Sequence, residues 1–290
     1  MVIHLFSGAA RRASWQARRT TTLVAVLSLG TLLLNGRAMA EPIDVIHLSR
    51  DSGVKIVSPA GRSSGTGFFV SDDYVLTCFH VVAALSVQGS SVSAQIYQDL
   101  QVELPSGEKI GGTVVSVPTQ ADPSPLTEDF AFVKLKERPQ KAHRVVSLAA
   151  PGEAVDVGDD VFFSGYPLAT PGMVTHRGMV SGFDDPKSLI FIQSSVNKGN
   201  SGGGLLNSAG HVIGIVSMRE GGISRGLSNL TTYIDKTAPQ GSVRIAGVDP
   251  LQATKAIIQT LDEYISTGIG YARVIKFARD YAEKNKLPLK

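Results

Sequence analysis

The sequence predicts an all-β fold, a sandwich or a barrel, followed by a helical C-terminal tail. Three observations lead there. From Gly53 to about Ile234 the chain breaks into roughly a dozen short runs of β-branched and aromatic residues, divided by turn residues. After Pro250 the apolar spacing becomes helical. Of the 290 residues, 43% are apolar and 18% charged, which suits a packed core and not a disordered chain.

Residues 1–40 stand apart from that pattern. They contain Arg11, Arg12, Arg18, Arg19 and Arg37 and no acidic residue. The run "TTLVAVLSLGTLLL" at 21–34 is apolar but shorter than a membrane span needs. Ala38 and Ala40 then give the small-residue spacing of a cleavage site, before Glu41-Pro42. This is the pattern of a secretory signal peptide, so an exported protein is expected, in the periplasm or outside the cell, with no stable membrane span after cleavage. The five leader arginines exceed the whole formal charge of +3, so the remainder is slightly acidic. The basic balance therefore reports export and gives no basis for nucleic-acid binding.

The strands follow in order. "VKIVS", "GTGFFV", "YVLTCFHVV", "SAQIYQ", "GGTVVSV" and "FAFVKL" make a first group. "DVFFSGYP", "VTHRGMVSGF", "LIFIQSS", "GGLLN" and "HVIGIVSM" make a second, with "NLTTYI" as a further candidate. "PTQADPSPLTED" at 118–129 reads as a Pro-rich surface loop, and 136–160 as the connection between the groups. The expected organisation is a leader at 1–40, a β domain at 41–240 and a helical tail at 241–290, with the two β units at about 53–138 and 155–240. In the tail, Ile257, Leu261, Tyr264 and Ile265 share one helical face and Tyr271, Ile275, Ala278 and Tyr281 another. Gly268 and Gly270 separate the two. Such helices either pack on the β domain or offer a face to a partner or a second copy, and both stay open.

Cys78 is the single cysteine, so no disulfide within the chain is available and packing alone must hold the fold. It lies in an apolar run and reads as a small core residue.

Three short stretches carry chemistry. His80 ends an apolar strand in "VLTCFHVV", Asp129 precedes an alternating strand in "EDFAFVKL", and Ser201 sits among glycines in "GNSGG". Each alone has a bland reading. Together they supply a nucleophile, a base that works near neutral pH and a carboxylate to orient that base. The order His, Asp, Ser belongs to a β-barrel hydrolase class. The glycines then acquire a purpose, because backbone N–H groups of Gly199 and Ser201 can receive an oxyanion where a Cβ would obstruct.

At this point the sequence resembles the trypsin-like serine proteases, and within them the bacterial HtrA-like branch. The resemblance spans about 53–220 and rests on "GTGFFVSDDYVLTCFHVV", "EDFAFVKL" and "GNSGGGLLNSAGHVIGIVS", with "GYP" at 165–167 and "VTHRGMVSG" after it. It implies two six-stranded antiparallel β-barrels with the site between them, and peptide-bond hydrolysis through an acyl-enzyme. It implies His80 as base, Asp129 as orienter, Ser201 as nucleophile, and Gly199 with Ser201 as oxyanion hole. Glu128 does not fit the acid position and reads as a loop charge.

Departures from the family also inform. Asn200 replaces the acid that pairs with a cut N-terminus in digestive relatives, so activation by terminal insertion is not expected. The tail's texture is not that of a PDZ domain. Lys198 stands where HtrA-like enzymes have proline, which leaves the preformation of the oxyanion hole open. By resemblance, the primary pocket is lined near Ser195, Val196 and Asn197 and by Ile215, Val216 and Ser217, and takes a small or medium apolar side chain. His47, His143, His176 and His211 lack metal-ligand spacing, so neither metal nor cofactor is expected. The expected partners are protein or peptide substrates. A barrel-fold binding or chaperone-like protein with latent or weak activity is the alternative, and nothing about binding alone requires His80, Asp129 and Ser201 together.

Overall fold

A computed structural model of the chain describes residues 42–290 apart from 89–90, 116–121, 185, 218–221, 239–240, 242–243 and 265–267. The leader expected at 1–40 lies outside the described residues. After helix α1 (Pro42–Ser52), strands β1 (Gly53–Ser58), β2 (Ser63–Phe69) and β3 (Tyr74–Thr77) lead to the one-turn helix α2 (Phe79–Val82). A hairpin of β4 (Ala83–Gln88) and β5 (Ser91–Ile96) follows, then β6 (Gln101–Glu103), β7 (Lys109–Val114) and β8 (Ala131–Leu135). Strands β1-β2-β3-β8-β7-β6 form a closed antiparallel barrel, sealed where Ile56 pairs with Val102. The alternation expected of barrel strands is visible in β1, where Val54 and Ile56 are fully buried and Lys55 is not.

The second barrel uses β10 (Asp160–Gly165), β11 (Val174–Phe183), β12 (Leu189–Gln193), β13 (Gly204–Asn207), β14 (His211–Val216) and β15 (Ile269–Val274). They run in the order β13-β10-β11-β12-β15-β14, and β13 pairs with β14 to close the ring. The short β9 (Ser147–Leu148) joins the free half of β14's outer edge in parallel, at His211 and Val212, while β15 takes Gly214–Val216. The fold is therefore the expected pair of six-stranded antiparallel barrels.

Two expectations are corrected here. The segment "NLTTYI" lies in helix α3 (Gly222–Thr237), not in a strand. The tail is not helical throughout. Helix α4 (Pro250–Tyr264) and helix α5 (Lys276–Lys284) flank β15, which supplies the sixth strand of the second barrel. A boundary at 240 thus cuts the barrel's last strand from the rest. A six-residue run after a glycine is too short for its periodicity to separate strand from helix, and the gap between β12 and β14 decides the matter.

The flanking helices tie the barrels together. On α1, Val45 is buried and Ser49 Oγ lies 2.9 Å from Ser164 Oγ of β10. On α5, the Tyr281 ring contacts Phe130 at 5.4 Å and Phe132 at 6.1 Å in the first barrel, and Arg279 donates to the Ala149 carbonyl at 2.6 Å. Among the described residues no helix is long and apolar enough to cross a membrane.

Candidate active site

The site lies where the barrels meet. Strand β3 ends at Thr77, and the tight turn of α2 places His80 beside the start of β8. Asp129 precedes β8 with φ +50°, a left-handed conformation that aspartate tolerates better than most residues. Its carboxylate receives three donors. His80 Nδ1 lies 3.0 and 2.9 Å from the two oxygens, the His80 backbone N–H donates at 3.1 Å, and Ser217 Oγ donates at 2.6 Å. Burial works to raise the carboxyl's pKa, but the His80 hydrogen bond and charge, then the Ser217 hydroxyl, outweigh it and hold it below the usual carboxylate range. An ionised carboxylate only accepts, so Nδ1 carries the proton and a neutral His80 ring presents Nε2 as an acceptor.

Ser201 comes from the loop before β13. Its carbonyl accepts the Thr66 N–H at 2.8 Å, across the barrel interface. Its hydroxyl donates to the Ser217 carbonyl. The structure thus joins all three predicted residues in one chain: His80 to Asp129, Asp129 to Ser217, Ser217 to Ser201.

The glycines around Ser201 are dictated by space. Gly199 has φ +101°, and a Cβ there would run into the Tyr166 carbonyl oxygen. Gly202 has φ +93°, and a Cβ would strike the Thr66 carbonyl and the Thr77 hydroxyl. The Lys198 carbonyl is occupied by the Leu168 N–H at 2.7 Å, and the Gly199 carbonyl by Thr66 Oγ1 at 2.7 Å. Among the described residues neither the Gly199 nor the Ser201 N–H donates to a protein acceptor.

Thr66 braces the Ser201 loop, and sequence reasoning missed it. Fully buried, it donates from Oγ1 to Gly199, accepts the Tyr166 N–H at 3.2 Å, and offers its carbonyl to Thr77 Oγ1 at 2.6 Å. Only its place between two glycines of "GTGFF" marks it in sequence.

The residues expected to line the pocket lie in different settings. The side chains of Val196, Ile215 and Val216 are buried, at 2%, 1% and 0% exposure. Ser195 is exposed and Asn197 half-buried. Ser217 points at Asp129. The open space beside His80 is a cavity of about 270 Å³ lined by Leu85, Leu126, Leu189 and Tyr271 together with His80, Asp129 and Ser217.

The other titratable residues find local partners. Glu128 lies 3.8 Å from Arg273, His211 is 2.9 Å from Glu153, and His143 and His176 lie against Phe69 and Phe163. Cys78, His80 and Asp129 each bring a potential ligand atom within 4.8 Å of the others. His80 and Asp129 spend those atoms on each other. Burial, and then the Asp129 charge, push the Cys78 thiol well above its ordinary pKa, so it stays protonated and donates to the Val216 carbonyl at 3.3 Å. That is a hydrogen-bonded core position and not a nucleophile.

Comparison with known proteins identifies the family. The trypsin-like peptidase domain family matches residues 65–215, and the chain belongs to that family. Its relatives include HtrA- and DegP-like proteases. It is 31% identical over 198 residues to a putative protease Do-like 14 of Arabidopsis thaliana, covering 64% of this chain and 42% of that protein. It is 29% identical over 220 residues to the human serine protease HTRA3, covering 69% and 44%. It is 26% identical over 230 residues to a probable periplasmic serine endoprotease, DegP-like, of Rhizobium meliloti, covering 77% and 38%. The chain spans under half the length of these relatives. A serine endoprotease from Yersinia pestis has the same fold, with a TM-score of 0.53 and 20% identity over 84% of this chain and 66% of that one.

Proposed function

We propose that this chain is an exported serine endopeptidase that cuts peptide bonds with Ser201, His80 and Asp129. The observation that carries the reading is the Asp129 carboxylate, which binds both the ring and the backbone of His80 and so fixes the imidazole with Nε2 free. The Ser201 hydroxyl rotates about χ1 from the Ser217 carbonyl to Nε2. His80 takes the proton as Oγ attacks the scissile carbonyl carbon. The carbonyl's π electrons move to its oxygen, and the Gly199 and Ser201 N–H groups receive the charge. Collapse breaks the C–N bond, and the imidazolium protonates the leaving amine. Water, deprotonated by the same ring, then attacks the acyl-enzyme, and Ser201 recovers its proton.

The unspent N–H groups of Gly199 and Ser201 support a hole formed before substrate arrives, despite Lys198. One observation favours a latent resting state: the serine hydroxyl rests on a carbonyl and not on His80. A neutral hydrogen bond of that kind is worth about 1 kcal/mol net, which holds the hydroxyl back by roughly five-fold and does not prevent turnover. Export to the periplasm or beyond follows from the leader read at 1–40.

Digestion of denatured casein by the chain lacking residues 1–40, with Ser201→Ala alongside, tests the reading. Cleavage lost only in the variant is expected. Equal cleavage by a folded variant would overturn the assignment, and no cleavage by either would favour the binding or chaperone-like alternative.

A further inference from the structure

Cys78 has no part in the reaction, yet it lies against the pair that does. It immediately precedes α2, in an extended conformation with φ −76° and ψ 147°. The tight turn that follows brings its sulfur and a His80 ring nitrogen to one carboxylate. The ligand atoms of Cys78, His80 and Asp129 lie within 4.8 Å of one another. The ring nitrogen on the Asp129 side is Nδ1, 2.9 Å from Oδ2. The Asp129 charge also acts on the sulfur and opposes its ionisation.

Access to this cluster comes from one side. The thiol is fully buried, whereas the His80 and Asp129 side chains are 32% and 18% exposed. Both line the cavity of about 270 Å³ beside the site. An ion therefore meets the ring and the carboxylate from solvent, with the sulfur behind them.

The donor set selects the ion. A thiolate, an imidazole and a carboxylate are zinc ligands, and three of them leave a fourth position for water. Calcium and magnesium take oxygen ligands and would leave the sulfur unused. A dication against one thiolate and one carboxylate gives a neutral site, which a partly buried position requires. In a tetrahedral zinc site the ligand atoms lie about 3.4–3.6 Å apart, so the longest separation here closes by about 1 Å and the Nδ1 to Oδ2 contact opens by about 0.5 Å.

We propose that Cys78, His80 and Asp129 form an inhibitory site for a thiophilic divalent cation of the zinc type, which takes the place of the proton between His80 and Asp129. The ion bonds to Sγ, Nδ1 and a carboxylate oxygen. The S–H bond breaks and its proton goes to solvent. Nδ1 loses its proton and Nε2 gains one, so the ring stays neutral as the other tautomer. One proton is released for each ion bound. Nε2 is now a donor and has no lone pair for the Ser201 proton, so the serine stays unactivated. A thiol that burial keeps protonated gives that proton up at a cost, so the ion is held less tightly than in a structural zinc site and a chelator removes it. Inhibition rests on the endopeptidase reading, and binding of the ion does not.

Two measurements test the site on the untagged chain lacking residues 1–40. The first is zinc inhibition of hydrolysis of a fluorogenic peptide taken from a mapped casein cleavage site. Zinc chloride should inhibit the wild type, EDTA should restore it, and calcium chloride should have no effect. Losing an outer-shell partner costs a metal site about 10–100-fold in affinity, so Cys78→Ala should need at least about ten-fold more zinc for half-inhibition of its own metal-free rate. Cys78→Ser takes its place if the alanine variant is poorly folded. Equal zinc sensitivity in a folded variant overturns the proposal, and so does an active wild type that zinc leaves unaffected. The second measurement titrates the Ser201→Ala protein with cadmium. Cys78 is the single cysteine, so an ultraviolet cadmium–thiolate charge-transfer band reports it alone. The band should saturate at one ion per chain, and adding His80→Ala should shift the titration to at least about ten-fold more cadmium. A saturating band that His80→Ala weakens sustains the site even if the endopeptidase reading fails. No band, or one that His80→Ala leaves unmoved, sinks it even if that reading stands.

Discussion

Replacing Thr66 by valine keeps the side chain's shape and removes one oxygen. That oxygen serves two buried backbone groups of the second barrel, donating to the Gly199 carbonyl at 2.7 Å and accepting the Tyr166 N–H at 3.2 Å. Thr66 is fully buried, so water cannot replace it. Each abandoned group costs about 1–3 kcal/mol, and the carbonyl's second lone pair places the total near the lower half, at about 3 kcal/mol. The loop can recover part of that by moving, and Gly199 would move with it. Loss of one oxyanion donor costs about 10²–10³ in kcat, so partial displacement should cost about ten- to a hundred-fold. Urea unfolding and peptide hydrolysis measure the two effects, and Thr66→Ser should restore most of both. A valine variant within about 0.5 kcal/mol of wild type, with kcat within two-fold, would refute the claim that the first barrel holds the Ser201 loop through this hydroxyl.

Other expected outcomes follow from the same geometry. Ser217→Ala removes a charge-assisted bond to Asp129 worth about 1.5–3 kcal/mol, so kcat/KM should fall about ten- to a hundred-fold in steady-state assays. Asp129 is held below its unfolded pKa, so its stabilisation is present at neutral pH and is lost as pH falls through the folded value. Losing the Ser217 donor raises that folded value. Acid unfolding followed by circular dichroism should therefore begin at higher pH in Ser217→Ala, and an unchanged midpoint would contradict this. Gly199→Ala drives a Cβ against the Tyr166 carbonyl at φ +101°, so turnover should drop by at least a hundred-fold while the chain still folds. Tyr281→Ala empties a site that is 2% exposed between Phe130 and Phe132, and should cost about 3–5 kcal/mol in denaturant titration.

The first barrel was readable because its strands alternate: Val54 and Ile56 face in, Lys55 and Lys134 face out. His80, Asp129 and Ser201 were readable because three unlike stretches appear in one order. Strand β15 was not, because Gly270 and Ala272 contribute no periodic signal and only its neighbours β12 and β14 make it a strand. Thr66 escaped for a related reason. Its role is defined by backbone groups about 100 and 133 residues away, and nothing local records them. Ser217, expected in a pocket wall, lines the cavity beside His80, and the sequence did not record that its hydroxyl supports Asp129 and its carbonyl holds Ser201. Sequence spacing fixes alternation along a strand, but the face that meets the cleft depends on how the barrels dock.

The central claim is that Ser201 is an activated nucleophile beside a formed oxyanion hole. Reaction of the chain lacking residues 1–40 with a fluorophosphonate, followed by peptide mapping in the mass spectrometer, tests it most directly. The account predicts one phosphonyl adduct, located on Ser201, absent from Ser201→Ala and strongly slowed in His80→Ala. A folded wild type that takes up no adduct, or takes it up on another serine, would contradict the account.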